Sequence, residues 1–277
     1  FNLNEIKQSP KILYSAHDFL GYISLSQDQK QLAWVEWEHP YMPWERSQLI
    51  VASINDEGII SSSNFLAGSN QNSKKSISVF QPKWKQNGEL CFAEDSNDWW
   101  NLKAISPAEQ NSTKAYREIA PSNSEYAIPQ WVLGMSTLAF SGNDVVSTFC
   151  HEGIWSLQLL QANGIRNKIE QPFDDLSSLD ANNGKALAIA SNPLTETGLL
   201  ELDLESAKWT HFKPRNPVIH DDQISVGHPF WFKGFSGEPT HSWLYLPTNW
   251  DGQPGPLLVK SHSGPTSMAS RGLDLGI

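Results

Sequence analysis

Four short apolar clusters recur along the 277-residue chain at nearly even intervals: Leu32-Ala33-Trp34-Val35, Leu90-Cys91-Phe92-Ala93, Leu138-Ala139-Phe140-Ser141 and Leu187-Ala188-Ile189-Ala190. Their leading leucines lie 58, 48 and 49 residues apart. A polar turn precedes each cluster, for example Asn182-Asn183-Gly184-Lys185 before the fourth. A second strand-like run follows each after a variable loop, at residues 48–52, 101–105, 154–159 and 199–204. In the third unit Trp155, Leu157 and Leu159 share one face; in the fourth Leu200, Leu202 and Leu204 oppose Glu201, Asp203 and Glu205. Repeats of about 50 residues built from short strands match the four-stranded blade of a β-propeller. An ordinary antiparallel sandwich is the competing architecture. Helical signals are nearly absent, with Pro107-Ala108-Glu109-Gln110 allowing one short turn. The expected fold is therefore all-β, a partial propeller of about four blades. Each blade buries its faces only against its neighbours, so four blades either close a ring or leave two apolar sheet faces uncovered.

Composition narrows the function. Hydrophobic residues make up 39% and charged residues 18%, a globular balance, and 12 Trp with 12 Phe favour packing between sheets. A formal charge of −10 without a compensating Lys/Arg cluster argues against nucleic-acid binding. No apolar run approaches the ~18 residues of a membrane span. Cys91 and Cys150 each sit in an apolar strand-like run and read as buried free thiols, which fits a reducing cytoplasm. Phe1-Asn2-Leu3-Asn4-Glu5 shows neither a signal-peptide pattern nor an initiator Met, which reads as a cut or processed start.

The repeat pattern breaks after Lys213. Pro214-Arg215-Asn216-Pro217 is a turn-rich seam. Pro229-Phe230-Trp231-Phe232 then leads through Gly234-Phe235-Ser236-Gly237 to His241-Ser242-Trp243-Leu244-Tyr245-Leu246, a hairpin pattern. Leu257-Leu258-Val259 is a continuous apolar run of the parallel-sheet kind, followed by the loop Ser261-His262-Ser263-Gly264-Pro265-Thr266. The expected division is blades over 1–222 and the opening of a second domain over 223–277.

Four stretches resemble the prolyl oligopeptidase family of serine peptidases, in its acylaminoacyl-peptidase and dipeptidyl-aminopeptidase-like branch. They are residues 32–44, whose Trp34-Val35-Glu36-Trp37-Glu38-His39-Pro40-Tyr41 looks like a blade segment; Asp98-Trp99-Trp100-Asn101-Leu102, similar to Gly-Trp-Trp-Asn-Leu; 241–249, similar to the first hydrolase strands; and 261–267, similar to Ser-His-Gly-Gly-Pro-Thr-Ser. The resemblance implies a seven-bladed propeller that gates an α/β-hydrolase domain carrying Ser, Asp and His. This chain would then be a fragment holding the later blades and the first strands of the α/β-hydrolase domain. Short peptides are the implied substrates, with neither cofactor nor metal. The missing blades and the rest of the hydrolase domain are the implied partners, and a homo-oligomer stays open.

The chemistry follows. Acyl transfer by an α/β-hydrolase needs a nucleophile in Gly-x-Ser-x-Gly, and this sequence has no such motif, so the chain alone is expected to be inactive. His262, Ser263, Gly264 and Pro265 form the expected oxyanion-side loop. Ser263 stands where the family has glycine, which would be strained if the position needs a positive φ. Glu36, Glu38 and His39 are candidates for the substrate cavity, where a carboxylate would hold a peptide N-terminus. Trp99-Trp100 reads as core rather than as a stacking platform. His17-Asp18, His151-Glu152 and His220-Asp221-Asp222 read as solvated turns rather than metal ligands. A self-contained propeller that binds peptides or proteins is the alternative function. A lactonase-like propeller is a weaker one, because no convergent acidic set is evident.

Overall fold

The computed structural model describes residues 11–16, 18–107, 116–213 and 219–274. The expectations for Phe1 to Glu5, His17, positions 108–110 and the seam at 214–217 fall outside these residues. The chain separates into two compact units, Phe1–Pro121 and Ser122–Ile277.

The first unit holds two four-stranded antiparallel meanders. One runs β1 (Phe19–Leu25), β2 (Gln31–Trp37), β3 (Gln48–Ile54) and β4 (Ile60–Gly68). The other runs β5 (Val79–Trp84), β6 (Leu90–Glu94), β7 (Asn101–Ile105) and β8 (Arg117–Glu118). Consecutive strands pair as neighbours, so each meander closes its hydrogen bonds locally. The layer between the two sheets contains Ala33, Val35, Leu49, Val51, Ala67, Val79, Leu90, Phe92 and Ile105. Trp34, Ile50 and Ala52 point to the opposite face of the first sheet and are covered by Tyr14, Leu20, Leu32 and Ile60. Cover on both faces explains why β2 is a near-continuous buried run rather than an alternating one. Trp100 meets Phe80 edge to face at 6.1 Å, the packing role expected for one of the paired tryptophans.

The second unit holds two further meanders. The third sheet is β9 (Leu138–Ser141), β10 (Asp144–His151), β11 (Ile154–Leu160) and β12 (Arg166–Ile169). The fourth is β13 (Asp175–Asn182), β14 (Lys185–Asn192), β15 (Thr195–Asp203) and β16 (Trp209–Phe212). Val146, Leu157, Leu159, Leu176, Ala186, Ala188, Leu200 and Leu202 fill the layer between them. On β14 the alternation is strict: Ala186, Ala188 and Ala190 face that layer, while Leu187 and Ile189 lie 40% and 37% exposed. Leu199, opposite Ile189 in the register, is exposed with them.

The four clusters land on four different sheets, but not on the same strand of each. Three lie on the second strand (β2, β6, β14); the Leu138 cluster lies on the first strand of its sheet, β9. The second strand there is β10, whose Val145-Val146 carries the apolar positions. A short β9 joined to β10 through Gly142 places two apolar runs side by side, and spacing alone favoured the wrong one.

After the fourth sheet, β17 (His228–Lys233) and β18 (Pro239–Leu244) form a two-stranded hairpin. Ser236 and Gly237 take positive φ at its turn, so Gly234-Phe235-Ser236-Gly237 is a turn, as its sequence implied. Leu257, Leu258 and Val259 form no strand among the described residues and are 77%, 92% and 80% exposed. Both cysteines are free and buried. Burial pushes each thiol up to about 12.

Candidate functional site

The β2–β3 connection and the chain after β4 enclose a cavity of about 240 Å³, lined by Glu36, Glu38, His39, Tyr41, Arg46 and Gln71 among others. The three cavity candidates from the sequence are thus brought together. Glu36 is buried near the end of β2, two residues from Trp34 and on the same face. Trp34 Nε1 donates to Glu36 Oε1 at 2.6 Å, and Gln48 Nε2 donates to Oε2 at 3.3 Å. The Tyr14 hydroxyl also bonds this carboxylate; burial, then that bond and the negative charge, push the phenol up to about 12. Three donors on one buried carboxylate fix its position and offset its desolvation.

Glu38 accepts a hydrogen bond from Gln71 Nε2. His39 is held by its backbone: its N–H donates to Asp18 Oδ2 at 2.8 Å, and its ring meets Phe19 edge to face at 5.3 Å. Arg46 was not singled out from the sequence. Its guanidinium lies over the Tyr41 ring at 5.0 Å, and Nη2 donates to the Ser73 carbonyl at 2.5 Å. Its Nε is buried with no acceptor among the described residues. The signal for Arg46 was present in part, since it shares a loop with Glu38 and His39. Its partner on the loop after β4, Ser73, is a tertiary fact.

The second candidate site lies in the other unit. His262, Ser263, Gly264 and Pro265 form an exposed loop. Gly264 takes φ +73°, and a Cβ there would sit 3.2 Å from the Trp131 ring. Trp131 Nε1 donates to the Thr266 carbonyl at 2.7 Å, so this indole packs against the loop and ties down its far side. Ser263 is not among the residues with positive φ; the left-handed position is Gly264, one residue on. Ser263 therefore carries no backbone strain.

The following stretch is strapped to β18 and to the fourth sheet. Trp243 Nε1 donates to the Ala269 carbonyl at 2.9 Å, and Ser270 Oγ to Asp175 Oδ2 at 2.5 Å. Arg271 Nε donates to Asp174 Oδ2 at 2.7 Å while its guanidinium lies 5.3 Å from the Trp243 ring centre. Burial keeps Asp174 above the usual carboxylate range in spite of Arg271. Gly272 passes so close that a Cβ would meet Ser191 Oγ at 2.4 Å, and Leu273 N donates to the Asn192 carbonyl at 3.0 Å. His220-Asp221-Asp222 lies on an exposed single 3₁₀ turn, and His151 Nδ1 sits 2.9 Å from the Asn123 carbonyl.

No protein-family model and no curated protein matches the chain. Solved structures do. A puromycin-hydrolyzing peptidase of Mycobacterium tuberculosis superposes with a TM-score of 0.86 at 23% identity, over 96% of this chain and 41% of that one. A puromycin hydrolase superposes at 0.82 with 26% identity, over 94% of this chain and 39% of that one. A prolyl endopeptidase shares the fold more distantly, at 0.57 and 14% identity over 84% of this chain and 32% of that one. The chain thus spans about two fifths of the length of the first two. The resemblance to prolyl oligopeptidase-family peptidases holds in three dimensions over nearly the whole chain.

Proposed function

We propose that the chain is part of a serine peptidase of the prolyl oligopeptidase family that hydrolyses short peptides through an acyl-enzyme. The observation that carries this is the superposition on a puromycin hydrolase at 26% identity over 94% of the chain. In this reading the four meanders are four blades of a seven-bladed propeller covering 1–222, and 223–277 opens the α/β-hydrolase domain. Exposed Leu187, Ile189 and Leu199 on the outer face of β14 and β15 fit a blade that stacks on another. Glu36 and Glu38 face the gated cavity and hold a peptide N-terminus. Main-chain N–H groups of His262, Ser263 and Gly264, in the loop that Pro265 closes, stabilise the oxyanion, at about 3 kcal/mol for each donor lost.

The triad would be supplied by a longer polypeptide that contains this chain. The test is turnover of an aminoacyl-p-nitroanilide by that longer polypeptide and by the chain alone. Turnover by the longer form only is expected. Turnover by the isolated chain would overturn the division of roles.

A further inference from the structure

We infer that the cavity beside β2 recognises both ends of a short unblocked peptide, with Arg46 as the seat of its carboxylate. This rests on the peptidase reading above and adds a substrate class to it. A guanidinium has five N–H donors and is charged at every accessible pH. Arg46 uses one donor on a neutral carbonyl, stacks on Tyr41, and leaves Nε buried without an acceptor. It forms no ion pair with any described carboxylate, although Glu36 and Glu38 line the same cavity.

The scaffold keeps those charges apart. Glu36 is fixed by Trp34, Gln48 and Tyr14, and Glu38 by Gln71, all neutral donors. A half-buried guanidinium without a counter-ion is costly, and an incoming carboxylate relieves that cost with charge-assisted bonds. Two carboxylates and one guanidinium on the walls of a single cavity suit a ligand with an ammonium at one end and a carboxylate at the other. The cavity, about 240 Å³ and open to solvent, has room for the ends of a short peptide.

The experiment is calorimetric titration of the 277-residue chain with Ala-Ala, its C-terminal amide and its N-acetyl form. Ala-Ala is expected to bind at least tenfold tighter than either blocked form. Arg46→Gln should erase the preference for acid over amide while leaving the preference for a free amine. Arg46→Lys should recover part of it, because charge persists without the planar fork. Circular dichroism checks that each variant folds. Equal affinity for acid and amide, or an acid preference that survives Arg46→Gln in a folded variant, overturns the assignment, as does absence of Ala-Ala binding. Turnover of the aminoacyl-p-nitroanilide, which has no carboxylate, reads the peptidase proposal separately.

Discussion

Strand β2 carries two aromatic side chains and β17 carries three, yet the two strands end up in opposite environments. In β2, Ala33, Trp34 and Val35 are no more than 2% exposed; in β17, Phe230, Trp231 and Phe232 are 44–51% exposed. The difference lies in neighbours. β2 has a strand on each side and an apolar layer over each face, whereas among the described residues β17 has only β18 beside it. Aromatic content marks where a strand forms, and the number of packed layers decides what it contributes. In the proposed reading β17, β18 and residues 257–259 belong to a layer that the hydrolase domain completes.

The largest effect should separate these regions directly. Leu90→Ala removes a side chain that is 0% exposed in the inter-sheet layer and should cost about 2–5 kcal/mol in urea unfolding. Leu258→Ala, at 92% exposure, should shift the same transition by less than about 0.5 kcal/mol. Equal effects would mean that the exposed run is packed in solution.

Next comes the buried polar wall of the cavity. Glu36→Gln weakens the bonds from Trp34 and Tyr14 and should cost about 1–3 kcal/mol. The Tyr14 phenol should fall only part of the way from about 12 in an ultraviolet pH titration, because burial, its largest cause, remains. A phenol that stays high would place the cause in burial alone.

Asp95 gives an effect with a definite pH window. Burial raises it from 3.8 to about 6, outweighing the bond from the Ser78 N–H at 2.7 Å. The folded state then holds its proton more tightly than the unfolded chain. Stability from this group is full below about pH 4 and lost as pH rises to about 6. Asp95→Asn should melt with the parent at pH 3.5 and above it at pH 7.5. A gain that is equal at both pH values would refute the linkage.

The smallest effects contrast two positions where the family resemblance has glycine. Asp98 takes φ +70°, so Asp98→Ala should cost about 1 kcal/mol and Asp98→Gly less. Ser263 lies outside the left-handed region, and Ser263→Ala and Ser263→Gly should match within about 0.5 kcal/mol in melting experiments. A large gain from Ser263→Gly would restore the strain expected from sequence.

The legible parts of the molecule were those with local causes. Apolar runs and turn glycines located the strands that form the sheets, and the hairpin at β17 and β18 was readable from its turn. Which strand of the third sheet held the Leu138 cluster was not, because β9 and β10 are adjacent apolar runs and only pairing order distinguishes them. Glu36, Glu38 and His39 could be proposed because they are contiguous. Arg46 could not, since its meaning depends on a missing ion pair and on Ser73 from another loop. The Trp131 contact with the 262–266 loop spans 135 residues and leaves no local trace.

The most direct test of the account is labelling with a fluorophosphonate probe, applied in parallel to this chain and to a longer polypeptide that contains it. The longer form is expected to label at one serine in a Gly-x-Ser-x-Gly outside these 277 residues, and the chain alone to stay unlabelled. A label on a serine within these 277 residues would contradict it, as would a longer form that does not react.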